Sequence, residues 1–216
     1  MNVIKPLLAA LAISGLVGCS EAGGSGLLSR AAGLVLGEDD APTRAQPVSV
    51  PEEELLGNPG KYMRVNIRDM GIWDTLVAGG ENGARTTWLG ASGVGVTVES
   101  GVVVATRGLP RDLMGADASQ TVQAIRAGGG TATRVHDFLS NQDEITQFTM
   151  QCEITSKGAD DVSRMGQTIA ATRYEELCRS DGLTLTNVYW VDRTRRIVRS
   201  LQAVSPDAGY LQIDVF

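Results

Sequence analysis

Tyr62-Met63-Arg64-Val65-Asn66-Ile67 decides the fold class. Apolar Met63, Val65 and Ile67 alternate with polar neighbours, and a period of two belongs to a strand with one buried and one wet face. The pattern returns in Gly95-Val96-Thr97-Val98, in Gly182-Leu183-Thr184-Leu185-Thr186-Asn187 and in Gly209-Tyr210-Leu211-Gln212-Ile213-Asp214-Val215-Phe216. Val102 to Ala105 is a short apolar run, as in a more deeply buried strand. Phe148 to Ile154 and Thr168 to Leu177 read as the strands that carry Cys152 and Cys178. Between them lies turn chemistry: Gly79-Gly80-Glu81-Asn82-Gly83, Ser100-Gly101 and Asp192-Arg193-Thr194-Arg195. Gly90-Ala91-Ser92-Gly93-Val94-Gly95 is glycine-rich but sits between strands, so it reads as a hairpin turn and not a phosphate loop.

Helices are minor. Pro51-Glu52-Glu53-Glu54 suits a first turn, with proline early and acids at the positive helix end. Gly57, Asn58 and Pro59 stop it. Two more short helices are expected over Leu109 to Met114 and Ala118 to Arg126. There is no internal repeat and no βαβ rhythm. The expected fold is all-β, an antiparallel sandwich or barrel-like domain over residues 51–216 with minor short helices.

The start of the chain reads differently. Lys5 precedes an apolar stretch, Leu7 to Val17, of about 11 residues, short of the roughly 18–20 that span a bilayer. Leu16-Val17-Gly18-Cys19 follows. Residues 1–18 are therefore expected to be a signal peptide. The four-residue ending resembles the lipobox of bacterial lipoproteins, which implies a lipid on Cys19. The alternative is an ordinary signal with a chance cysteine. Several acyl chains make a firm anchor, whereas one does not. Ser20 follows the cysteine in place of a retaining Asp, which by analogy with that class implies the outer membrane, at its periplasmic face. Residues 19–50 carry Gly-Gly-Ser, the acidic Glu38-Asp39-Asp40 run, Pro42 and Pro47, and read as a flexible tether with a short amphipathic helix near Gly26 to Leu36.

Composition agrees with a globular domain behind that tether, at 43% hydrophobic and 20% charged. A formal net charge of -6 argues against nucleic acid, which needs a basic footprint. Cysteine count is 3. With Cys19 assigned to lipid, Cys152 and Cys178 remain as a pair in an oxidising compartment, where a disulfide is expected; two buried free thiols are the alternative. Without a CxxC or a Cys-His cluster, neither a zinc site nor any other metal or cofactor is expected.

Catalytic patterns are missing from the sequence. The single histidine, His136, sits beside Asp137, but adjacent strand residues point to opposite faces, and it reads as surface or structural, near an element edge. Nucleophile elbow, Walker loop and HExxH are absent. Asp39-Asp40, Asp143-Glu144 and Asp160-Asp161 read as solvated charge.

Three stretches taken together carry a resemblance. They are Thr86-Thr87-Trp88; Ser100 to Met114, containing Thr106-Arg107-Gly108-Leu109-Pro110-Arg111-Asp112-Leu113; and Asn187-Val188-Tyr189-Trp190-Val191-Asp192 with Ser200 to Pro206. With the lipid signal and the cysteine pair, they resemble the YjbF/GfcB family of lipoproteins of exopolysaccharide and group 4 capsule clusters. That resemblance implies an all-β domain, a role in making or secreting a surface polysaccharide, and an outer-membrane β-barrel as partner. It implies no catalytic residue.

The shared residues have physical readings. Gly108 permits a sharp turn. Arg107 is expected to pin that turn by pairing with Asp112 or Asp117, since its planar fork suits a carboxylate; otherwise it faces a groove and binds an acidic sugar. Trp88 and Trp190 read as core, and Trp73 as either core or a sugar-stacking platform. The expectation is a non-enzymatic accessory lipoprotein that contacts the membrane through its lipid, with polysaccharide as a ligand. A polysaccharide-modifying or cleaving enzyme is the alternative, and a general envelope-stability lipoprotein the third reading.

Overall fold

The structure is a computed structural model and describes residues 49–140 and 142–216. The signal peptide, Cys19 and nearly all of the tether lie outside the described residues.

Fourteen strands and two short helices are described. The helices are α1 (Glu52–Gly57) and α2 (Ser119–Ala127). The strands are β1 (Tyr62–Ile67), β2 (Ile72–Asn82), β3 (Arg85–Gly90), β4 (Gly95–Glu99), β5 (Val102–Arg107), β6 (Leu113–Asp117), β7 (Gly130–Leu139), β8 (Ile145–Ala159), β9 (Val162–Arg164), β10 (Gln167–Ile169), β11 (Ala171–Ser180), β12 (Leu183–Asp192), β13 (Ile197–Ser205) and β14 (Gly209–Val215). Twelve form one sheet in the order β5-β4-β3-β2-β1-β14-β13-β12-β11-β8-β7-β6, while β9 and β10 make a separate ribbon. Every pairing is antiparallel, and β1 pairs with β14 through Met63↔Val215 and Val65↔Ile213.

The sheet curls until its first and last strands meet. No ladder joins β5 to β6, but side chains bridge them. The Leu113 N–H donates to Thr106 Oγ1 at 2.9 Å, and Arg107 Nη1 donates to the Leu113 carbonyl at 3.3 Å. The result is a nearly closed barrel. Inward positions on its strands, such as Val65, Ile67, Val96, Met150, Ile154, Leu211 and Ile213, form one continuous core.

Because the strands run up and down, connections after β1, β3, β5, β7, β11 and β13 share one end. At the other end lies α2, with Val122, Ala124 and Ile125 in the core. It is tied to the surrounding turns, since Arg126 Nη2 donates to Ser100 Oγ and Arg195 Nη1 donates to the Arg126 carbonyl. One end is thus covered and the other open.

Three expectations are corrected. Leu109 to Met114 is not a helix: residues 109–112 turn and Leu113 opens β6. The Asp112 carboxylate captures the Gly108 and Leu109 N–H groups at 2.8 and 3.0 Å, which holds a turn in place of a helix. Gly79 to Asn82 continues β2 past a bulge at Ala78/Gly80, and Gly83-Ala84 make the turn. Thr168 to Leu177 is two strands, broken between β10 and β11.

Candidate functional site

The interior contains an ion pair that sequence reading missed. Along β7 the inward positions are Ala132, Arg134, His136 and Phe138. Arg134 is 1% exposed and Glu176, on β11, is 0% exposed. Arg134 Nη1 donates to Glu176 Oε2 at 2.9 Å, and Arg134 Nη2 donates to the Val103 carbonyl at 3.3 Å. Glu176 Oε2 also accepts from Asn187 Nδ2 and from the Tyr189 hydroxyl, both at 2.7 Å, while Oε1 accepts from Thr121 Oγ1 at 2.5 Å. The carboxylate therefore joins β7, β11, β12 and α2. Burial alone would raise its pKa, but Arg134 and the surrounding donors hold it below the ordinary value. Burial pulls on Arg134 in the opposite sense, and Glu176 keeps it above its ordinary value. Burial pushes the Tyr189 hydroxyl well up, and Glu176 adds to this.

Toward the open end the lining becomes apolar. A cavity of about 300 Å³ lies there, walled by Phe138, Phe148, Met150, Leu185 and Val204, with Asp69, Arg111 and Tyr210 also contributing. Phe138 and Phe148 meet edge to face at 5.7 Å, and the Arg111 guanidinium sits 5.4 Å from the Phe138 ring centre. His136 lines the same cavity and is 3% exposed, so it is not at an element edge. Burial, reinforced by Arg134, lowers its pKa to about 3. The imidazole is thus neutral, and its Nε2 has no hydrogen-bond partner among the described residues.

The other singled-out residues are spread apart. Arg107 is exposed, and Arg107 Nη1 donates to the Thr106 and Leu113 carbonyls. Neither Asp112 nor Asp117 pairs with it among the described residues. Asp112 pins the turn itself, through two backbone N–H groups and Thr106 Oγ1 at 3.0 Å. Asp117 accepts the Ser119 N–H at the start of α2, and that bond holds its carboxyl below the ordinary value. Trp73 is 46% exposed near the start of β2. Trp88 is buried. Trp190 is half-buried and donates to Asp160 Oδ2 at 2.9 Å, so that carboxylate is not merely solvated. Cys152 and Cys178 occupy directly opposite positions on β8 and β11, with Cα atoms 4.0 Å apart and sulfurs bonded. Glu176 stands beside them, but two thiols committed to each other offer no thiolate to a metal.

The missed network left a trace in the sequence. In Ala132-Thr133-Arg134-Val135-His136-Asp137-Phe138, the face that ends in Phe138 also carries Arg134 and His136. A cation on an apolar-ending face demands a buried partner. Nothing in the sequence says that the partner is Glu176.

The strands form a barrel covered at one end and opening at the other on a mainly apolar cavity. The chain belongs to the YjbF family, described as group 4 capsule polysaccharide lipoprotein gfcB, whose profile matches residues 29–216. Among solved structures it is similar to the hypothetical lipoprotein YmcC from Escherichia coli, at 16% identity and a TM-score of 0.66, with 90% of this chain and 96% of that one covered. That likeness is one of fold. Comparison with curated proteins finds no match.

Proposed function

We propose that this chain is a lipid-anchored accessory lipoprotein for production or secretion of a capsule or exopolysaccharide, acting by binding and not by catalysis. The family match carries the reading. Leu16-Val17-Gly18-Cys19 supplies the anchor, with Cys19 as the lipidated residue, at the periplasmic face of the outer membrane. The working partner is an outer-membrane β-barrel of the same gene cluster. The cavity favours binding over cleavage, because Asp69 is the one carboxylate among its described lining residues and glycoside hydrolysis ordinarily uses two facing carboxyl groups.

Deletion of the gene, under conditions that express its cluster, is expected to reduce surface polysaccharide while bulk outer-membrane composition stays constant. Cys19→Ser is expected to abolish incorporation of a labelled fatty acid into the protein and to leave residues 1–18 uncleaved. Unchanged polysaccharide on deletion would refute the proposal. Detergent sensitivity with polysaccharide intact would point instead to general envelope stability.

A further inference from the structure

Three features coincide at the open end of the barrel. Its cavity has apolar walls. Exposed apolar side chains cluster at the same end: Met70 and Trp73 beside the β1–β2 connection, Leu139 and Ile145 flanking the β7–β8 connection, and Leu183 opening β12. Several polar groups of the lining are already engaged. The Ser205 hydroxyl donates to the Pro110 carbonyl and accepts from the Ala208 N–H, and the Tyr210 hydroxyl accepts from the Thr186 N–H.

A sugar ring would be poorly served here. It carries several hydroxyls, and each one taken out of water without a partner is costly. An alkyl chain needs no partners and gains from burial. We infer that the open end of the barrel binds one acyl chain of a membrane lipid, with the chain inside the cavity and the head group outside, near Arg111 and Asp69.

The dimensions suit that ligand. A cavity of about 300 Å³ holds about ten groups of roughly 30 Å³, the size of a water molecule and close to that of a methylene. The histidine in the wall is compatible, since a pKa of about 3 keeps the ring uncharged. The pair at the rim, one cation and one anion, suits a zwitterionic head. The exposed apolar rim covers any part of the chain that the cavity does not.

The inference rests on the chemistry of the cavity and not on the polysaccharide role. The test is calorimetric titration of the full chain with hexyl, octyl and decyl phosphocholine as monomers, then dodecyl phosphocholine, and with maltose as the sugar probe. Affinity is expected to rise about fourfold per methylene, equivalent to ~0.8 kcal/mol, up to about decyl as the cavity fills, and less steeply beyond it, where added methylenes meet only the rim. Maltose is expected not to bind. Leu185→Trp, which narrows the cavity, is expected to weaken octyl binding at least tenfold; if that variant does not fold, Val204→Phe narrows it from the neighbouring strand β13. The inference is overturned if alkyl phosphocholines do not bind, if affinity is independent of chain length, if maltose competes with the octyl probe, or if a folded, narrowed variant binds like the parent. A failed titration leaves the polysaccharide reading standing, and a deletion without phenotype leaves the acyl-chain site standing.

Discussion

Glu176→Gln tests the buried network most directly. The substitution keeps the size of the side chain and removes its charge. It also turns an amide N–H₂ toward a site where Arg134, Asn187, Tyr189 and Thr121 all donate. Arg134, 1% exposed, then has no counter-charge. Breaking one partner of a buried pair costs about 3–5 kcal/mol. For a domain of this size each kcal/mol moves the melting temperature by ~2–4 °C, so a drop of about 6–20 °C is expected. Urea unfolding at pH 7 gives the free energy, and thermal melting gives the shift. Replacing both partners, as Arg134→Met with Glu176→Leu, is expected to recover most of the loss, because no charge then remains buried. A Glu176→Gln variant within about 1 kcal/mol of the parent would refute the reasoning, since it would mean that Arg134 finds water or another anion at little cost.

Three further outcomes are expected. His136 is held neutral with a pKa of about 3, against 6.5 in the unfolded chain, so the unfolded state binds the extra proton and stability falls as pH drops through that window, by up to about 1.4 kcal/mol per pH unit; His136→Phe should flatten the slope between pH 6 and 5 in urea titrations, and an unchanged slope would refute the assignment. Cys178→Ser opens a bridge with a sequence separation of 26 and should cost about 3 kcal/mol, with added reductant lowering the parent's melting temperature but not the variant's. At the barrel seam, Asp112→Ala removes a carboxylate that holds two backbone N–H groups and should cost about 2–3 kcal/mol, whereas exposed Arg107→Ala should stay within about 1 kcal/mol; comparable losses from the two would restore Arg107 as the anchor.

The strands were legible because each spends its period of two against one core. Tyr62–Ile67 is β1 to the residue, and Gly209 begins β14. The order of strands in the sheet was not legible, since alternation tells which face is buried and nothing about which strand lies alongside. The turn after β5 departs from the expected helix for a local reason. Leu109 to Met114 has helical spacing, but Asp112 bonds backwards to Gly108 and Leu109 and prevents helical bonding there. Arg107 bonds at the turn to a different partner from the expected carboxylate, because its nearest acceptors are main-chain carbonyls that no side-chain pattern reports. The Arg134–Glu176 pair joins residues far apart in the chain, so only the fold brings them together.

The pairing of β1 with β14 has a kinetic consequence. Most ladders in the barrel join neighbouring strands of the chain and close over short loops. This one must wait until residues 63 and 215 find each other, and long-range pairing of that kind slows folding. While β14 is missing, β1 and β13 both present open hydrogen-bonding edges, and such edges recruit strands from other chains. The barrel is therefore most prone to aggregate in the interval before β14, the last of the described strands in chain order, docks between its two neighbours.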